Sequence, residues 1–112
     1  MSNKVVVRQT FQKQAKHLAK RYKSFPQDLQ KLVDQLKENA ALGTSLGGNV
    51  YKIRLAISSK NKGKSGGARV ISYVYQAAET VYLLSVYDKA DTENITDNEL
   101  KYLIAEVEED FK

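Results

Sequence analysis

The sequence predicts a single α+β domain: a small, mostly antiparallel sheet with helices packed on one of its faces, in the order β-α-α-β-β-β-α. Its 112 residues, 42% apolar with one proline and six glycines, match the size of one domain and contain no polar tract, so residues 1–112 are taken as one unit. Apolar residues recur at helical spacing before residue 40 and again after residue 96. Between Val50 and Tyr87 the pattern is that of extended chain.

Lys4 to Arg8 is short and β-branched, which predicts a first strand. Thr10 is the expected N-cap of a helix running to about Tyr22, with Phe11, Ala15, Leu18 and Tyr22 as its buried stripe. Lys13, Lys16, Lys20, Arg21 and Lys23 fill much of the remaining surface, and His17 is expected to be a solvated position on that basic face. Ser24 followed by Gln27 resembles a capping box, and Pro26 falls in the first turn, where its missing N–H is harmless. A second helix should therefore reach about Asn39 and bury Leu29, Leu32, Val33 and Leu36, forming an antiparallel hairpin with the first.

Leu42 to Asn49 has the composition of a loop. From Val50 a period of two sets Tyr51, Ile53, Leu55 and Ile57 on one face and Lys52, Arg54 and Ala56 on the other, so one face is core and the other cationic. A glycine- and lysine-rich connection from Ser58 to Gly67 leads into a strand from Arg69 to Gln76. Ala77-Ala78-Glu79 then turns the chain into a strand from Thr80 to Tyr87. Both later strands are apolar on both faces, as central strands are, and a three-stranded meander follows. After the loop from Asp88 to Asn94, Thr96 with Glu99 forms a capping box for a last helix that buries Leu100, Leu103, Ile104, Val107 and Phe111.

Charge is unevenly spread. Residues 1–39 carry nine basic and three acidic side chains, residues 40–78 six basic and none acidic, and residues 79–112 three basic and ten acidic. An acid-free stretch holding Lys52, Arg54, Lys60, Lys62, Lys64 and Arg69 concentrates positive potential and suits a polyanion such as RNA or DNA. With no cysteine and one histidine, most metal chemistry and Cys–His catalysis are removed. No apolar run approaches the roughly 18 residues of a membrane span, and Met1 to Arg8 is too short for the apolar core of a signal peptide, so a cytoplasmic protein without a membrane partner is expected. Gly63-Lys64-Ser65 ends like a P-loop, but Ser58 stands where that motif needs its first glycine, and a strand rather than a helix follows. The glycines at 63, 66 and 67 are better suited to turning a hairpin and letting backbone approach a ligand.

The remaining side chains able to act on a phosphodiester are Lys, Arg and Tyr. These suffice for RNA, whose own 2′-hydroxyl is the nucleophile: the protein must align it, neutralise the phosphorane and protonate the leaving 5′-oxygen. Lys52 and Arg54 share a strand face, Arg69 opens the next strand, and Tyr87 and Lys89 end the one after, so all would converge at one side of the sheet. Each also has a plain structural reading. Tyr87 would pack on the last helix, Lys89 would be a solvated loop charge, and Lys52 and Arg54 would be solvent-facing positions of an edge strand.

The succession Tyr51-Lys52-Ile53-Arg54-Leu55, Gly63-Lys64-Ser65-Gly66-Gly67-Ala68-Arg69-Val70-Ile71 and Tyr82-Leu83-Leu84-Ser85-Val86-Tyr87-Asp88-Lys89 resembles the RelE/ParE toxin superfamily, in particular its RelE and HigB-like members, over nearly the whole chain. The resemblance implies a RelE-like microbial RNase fold. It further implies the toxin of a type II toxin–antitoxin pair, an endoribonuclease that enters the ribosomal A site and cuts mRNA during translation without a metal or other cofactor. Lys52 and Arg54 match the family's strand-borne cations, which stabilise the phosphorane or take part in proton transfer, and Arg69 matches its arginine on the scissile phosphate. Tyr87 is the candidate for orienting a base or supplying a proton and Lys89 for stabilising charge, while no residue clearly fills the role of general base. Lys13, Lys16 and Lys20, with Lys60, Lys62 and Lys64, would grip ribosomal RNA. The implied partner is an adjacently encoded, DNA-binding antitoxin whose acidic segment covers the cationic face. Two alternatives stand beside this: a ParE-like DNA gyrase poison, a branch that generally lacks the clustered cations, and a non-catalytic RNA-binding module.

Overall fold

The computed structural model describes residues 2–60, 63, 66–92 and 94–111. Strand β1 (Lys4–Val7) is followed by helices α1 (Gln9–Arg21) and α2 (Phe25–Glu38), strands β2 (Thr44–Gly47), β3 (Val50–Leu55), β4 (Ala68–Tyr75) and β5 (Thr80–Asp88), and helix α3 (Asp97–Glu108). The five strands form one sheet in the order β1-β5-β4-β3-β2, with β1 parallel to β5 and every other neighbour antiparallel. The expected α+β class and mostly antiparallel sheet are therefore found. The loop expected over residues 42–49 contains an additional short strand, β2, which pairs with β3.

The helices occupy both faces of the sheet rather than one. Phe11 and Leu18 of α1 and Phe25, Leu32 and Leu36 of α2 pack against Ile53, Leu55, Val70, Val81, Leu83 and Val86. On the other face Leu103 and Val107 of α3 pack against Val50, Ile71, Tyr73 and Leu84, and Phe111 stacks on Tyr75 with centroids 4.0 Å apart. The physical reason is visible in β4 and β5: strands apolar on both sides need cover on both sides.

Helix starts also differ in detail from expectation. Arg8, not Thr10, is the N-cap of α1, because the Arg8 N–H still pairs with the Leu83 carbonyl at 3.1 Å and the helix begins directly where the strand ends. Ser24 precedes α2 but does not cap it through its side chain. Its hydroxyl instead donates to Asp28 Oδ2 at 2.7 Å and accepts from the Ser59 N–H at 2.8 Å, tying α2 to the chain beyond β3. At α3 the expected cap is present, with the Thr96 hydroxyl accepting from the Glu99 N–H at 3.2 Å.

Two features set the end of the sheet nearest the β3–β4 connection. Gly67 lies so close to β3 that a Cβ there would meet the Leu55 carbonyl oxygen at 2.1 Å, so this glycine serves strand-to-strand approach rather than a ligand. A β-bulge in β5 leaves Ile71 opposite Ser85 but Ser72 opposite Leu83, with Leu84 as the extra residue. Past the end of β1, the edge of β5 is satisfied by a side chain, since Gln14 Oε1 accepts from the Val86 N–H at 2.9 Å and the Ser85 hydroxyl at 3.1 Å.

Two buried carboxylates anchor this arrangement. Burial alone would raise the Asp28 carboxyl, but the Ser58 and Ser24 hydroxyls, the Ser58 N–H and the Lys31 charge hold it below its ordinary value. Asp88 is likewise pushed up by burial and held down overall by hydrogen bonds from Lys60, Tyr22 and the Ala90 N–H and by the Lys60 charge. Groups with depressed native pKa values contribute stability that is complete above their unfolded value and is lost as pH falls through the native one. Equilibrium urea unfolding between pH 7 and pH 2 should show the contribution of these two residues constant down to about pH 4 and falling below it. Asp28→Asn and Asp88→Asn should each flatten that acid limb.

Candidate functional site

The alternation of β3 buries Ile53 and Leu55 under α1 and α2, which sends Lys52 and Arg54 to the face that carries α3. Cross-strand register then brings the expected residues into line. Arg54 lies directly opposite Arg69, and Arg69 directly opposite Tyr87 on its other side. These three side chains form a row across three strands spaced about 4.8 Å apart, with Lys52 two positions along β3. Strand β2 covers the outer edge of β3 over Val50, Tyr51 and Lys52, so the edge-strand reading does not hold for Lys52, whereas Arg54 is exposed beyond the β2 pairing, as that reading expected.

Like charges directly opposite on neighbouring strands oppose folding. Arg54 and Arg69 form such a like-charged cross-strand pair. Arg54 is exposed, whereas Arg69 is only 4% exposed and donates through Nη1 to the Ala68 carbonyl at 3.1 Å. Tyr87 is half-buried, and its hydroxyl is shut off from solvent with no hydrogen-bond partner of normal geometry among the described residues. Burial pushes the Tyr87 phenol above its ordinary pKa, partly offset by the adjacent Ile95 backbone and the Arg69 charge. The phenol is thus protonated at neutral pH and suited to donate a proton rather than to remove one. Lys52 Nζ donates to Asn94 Oδ1 at 3.0 Å, so residues 94 and 95 lie over the row just before α3 begins.

The other expected residues fall in several places. Lys89 is exposed in the turn after β5, and its N–H donates to the Gly67 carbonyl at 3.1 Å, beside the start of β4. Lys60, expected to grip RNA, instead places its ammonium 2.8 Å from Asp88 Oδ1 with its side chain 9% exposed, so its charge is spent inside the protein. Lys62 and Lys64 lie outside the described residues. Lys13, Lys16 and Lys20 are exposed on α1, on the opposite side of the sheet from the row. Lys13 and the exposed His17 nevertheless line a cleft of about 320 Å³ that reaches Tyr87 along the open edge of β5. A wider groove of about 660 Å³ between α2 and β3 is bordered by Lys31, Lys52 and Arg54.

Asn94 and Asp88 did not emerge from the sequence as site residues. Asp88 carried a usable signal, as an acid between Tyr87 and Lys89 facing a stretch of chain with no acid of its own. Asn94 carried none, since it depends on where the loop crosses the sheet.

The cation row and the tyrosine thus lie on the α3 face of a small α+β protein built on a five-stranded mixed sheet. The family model described as "RelE toxin of RelE / RelB toxin-antitoxin system" matches residues 3–109. The chain belongs to the RelE toxin family, the toxins of type II toxin–antitoxin systems. Its fold is that of solved RelE structures. A double-alanine mutant of the E. coli toxin RelE in the free state superposes with a TM-score of 0.60 at 21% identity, covering 83% of this chain and 90% of that one. The intact E. coli RelBE toxin–antitoxin complex matches at 0.61 and 19%, covering 78% and 96%. Isolated E. coli RelE matches at 0.61 and 15%, covering 93% and 98%.

Removing the Tyr87 hydroxyl removes a buried polar group that lacks a well-formed partner. Thermal and urea unfolding of Tyr87→Phe should show stability unchanged or raised by up to about 1 kcal/mol. A loss of more than that would mean the hydroxyl is held by a hydrogen bond within the fold.

Proposed function

We propose that this toxin is an endoribonuclease, an mRNA interferase that enters the ribosomal A site and cuts translated message by attack of the RNA's own 2′-hydroxyl, without a metal or other cofactor. The observation that carries the reading is the cross-strand row of Arg54, Arg69 and Tyr87, which pairs two fixed cations with one protonated donor. In the reaction the 2′-oxygen bonds to phosphorus while the P–O5′ bond breaks, leaving a 2′,3′-cyclic phosphate and a 5′-hydroxyl. Arg54 and Arg69 neutralise the phosphorane, on which negative charge accumulates in the transition state. Tyr87 gives its proton to the departing 5′-oxygen, and Lys52 adds charge at the same strand end. The 2′-proton passes to water. Lys89, exposed beside Gly67, contributes further positive potential near Arg69.

Access requires a small rearrangement. Arg69 and the Tyr87 hydroxyl are covered in the free protein, and the Lys52–Asn94 hydrogen bond lies at the surface, where such a bond contributes about 0.5–1.5 kcal/mol. A phosphate that binds Lys52 and Arg54 more tightly once this bond is broken offsets that cost. The antitoxin is read as an adjacently encoded protein whose acidic segment competes for the same cations, as its relative forms a RelBE complex. The toxin acts in the cytoplasm, where its ribosomes are; no helix among the described residues is long and apolar enough to cross a membrane.

Induced expression with 5′-end mapping of a translated message tests the reading. Wild type should arrest growth and cut only message that is being translated. Arg69→Ala and Tyr87→Phe should each lower cleavage by roughly 10²–10⁴-fold, the range of general acid and charge-stabilising groups. Growth arrest with message intact would point to a gyrase poison instead, and RNA binding without arrest to a non-catalytic module.

A further inference from the structure

The residue after Tyr87 is a buried carboxylate on the opposite face of the sheet. Asp88 pairs with Ala68 of the α1–α2 core, and its side chain is 1% exposed. Asp88 Oδ1 accepts from Lys60 Nζ at 2.8 Å and from the Ala90 N–H at 3.0 Å. Asp88 Oδ2 accepts from the Tyr22 hydroxyl, and Arg21 Nη2 lies 3.5 Å away. Lys60 also sits 5.2 Å from the centroid of the Tyr22 ring, so the three side chains form one packed unit.

Stability is a weak reason for such a cluster, because a buried ion pair is seldom better than apolar packing of the same volume. Placement is a stronger one. Tyr22 and Arg21 belong to the end of α1, and Lys60 to the turn that leaves β3 toward Arg69. Asp88 is the direct chain neighbour of Tyr87, and the next residue, Lys89, bonds Gly67 two residues before Arg69. The segments that carry Arg69 and Tyr87 to this end of the sheet are thus tied, from behind, to a single carboxylate.

We infer that Asp88 is a positioning residue: held by Lys60 and Tyr22 on one face of the sheet, it fixes the placement of Tyr87 relative to Arg69 on the other. Its effect on rate rests on the ribonuclease reading; its effect on geometry does not.

The test pairs kinetics with a signal from Tyr87 itself. Protein labelled with ¹³C in its tyrosine rings reports the Tyr87 resonance and its titration, assigned by comparison with Tyr87→Phe, while cleavage on programmed ribosomes gives kcat and KM. In folded Asp88→Asn the Tyr87 resonance and titration midpoint should move, and kcat should fall roughly 10- to 100-fold with KM within about twofold, as for a misplaced catalytic group. Tyr22→Phe, which removes one donor, should shift both in the same direction by less. An unmoved Tyr87 signal with unchanged kcat, or a raised KM with kcat kept, would overturn the inference. If wild type cuts nothing, the ribonuclease reading fails while the Tyr87 signal still decides the positioning claim. Should Asp88→Asn not fold, Tyr22→Phe and Lys60→Met carry the same comparison with the carboxylate left in place.

Discussion

A strand that is apolar on both faces can turn either set of its side chains toward either layer, and in β5 a single extra residue makes the choice. Before the bulge at Leu84, Val81 and Leu83 face α1 and α2; after it, Val86 and Asp88 do. Odd-numbered positions give way to even-numbered ones, and Tyr87 thereby crosses to the α3 face opposite Arg69. Were Leu84 instead paired in a regular ladder, period-two alternation would bury Tyr87 beneath α1 and set Asp88 on the face of the arginines. The cation row, the protonated phenol and the carboxylate behind them all depend on this one change of phase. Bulges commonly re-aim side chains in this way next to functional sites.

The uneven charge of the chain follows from the same layout. All four ion pairs among the described residues run from the basic first two-thirds to the acidic last third: Arg8–Asp110, Arg21–Asp88, Arg21–Asp91 and Lys60–Asp88. The more exposed Arg8–Asp110 and Arg21–Asp91 pairs contribute little to stability, so their effect is mainly to hold the end of α1 and the C-terminal segment in register with the sheet. The lysines of α1 stay exposed, while Lys60 is diverted inward. Net charge alone could not have separated these two groups.

Much of the fold was legible because period and capping are local. The helical stripes of Phe11–Leu18 and Leu29–Leu36, the Thr96–Glu99 cap and the burial of Ile53, Leu55 and Ile57 all appear in the structure, while Tyr51 is only half-buried. The short β2 was not legible, since four exposed residues flanked by glycines owe their extended form to pairing with β3. The bulge was hidden for a different reason: with both faces of β5 apolar, a change of phase leaves no trace in the hydropathy pattern. The convergence of Lys52, Arg54, Arg69 and Tyr87 was nevertheless foreseeable from strand ends, whereas the burial of Arg69 and Lys60 is tertiary and has no signal in local sequence.

The protein is a RelE-family toxin in which strand register holds two arginines and a phenol in line, the row to which the proposed ribonuclease chemistry is assigned. The most direct measurement places a short message in the A site of purified ribosomes, with a single 2′-deoxy substitution at the nucleotide that is cut. The account predicts cleavage of the all-ribose message to a 2′,3′-cyclic phosphate and none of the substituted one. Cleavage that survives the substitution, or that leaves a 3′-hydroxyl, would contradict it.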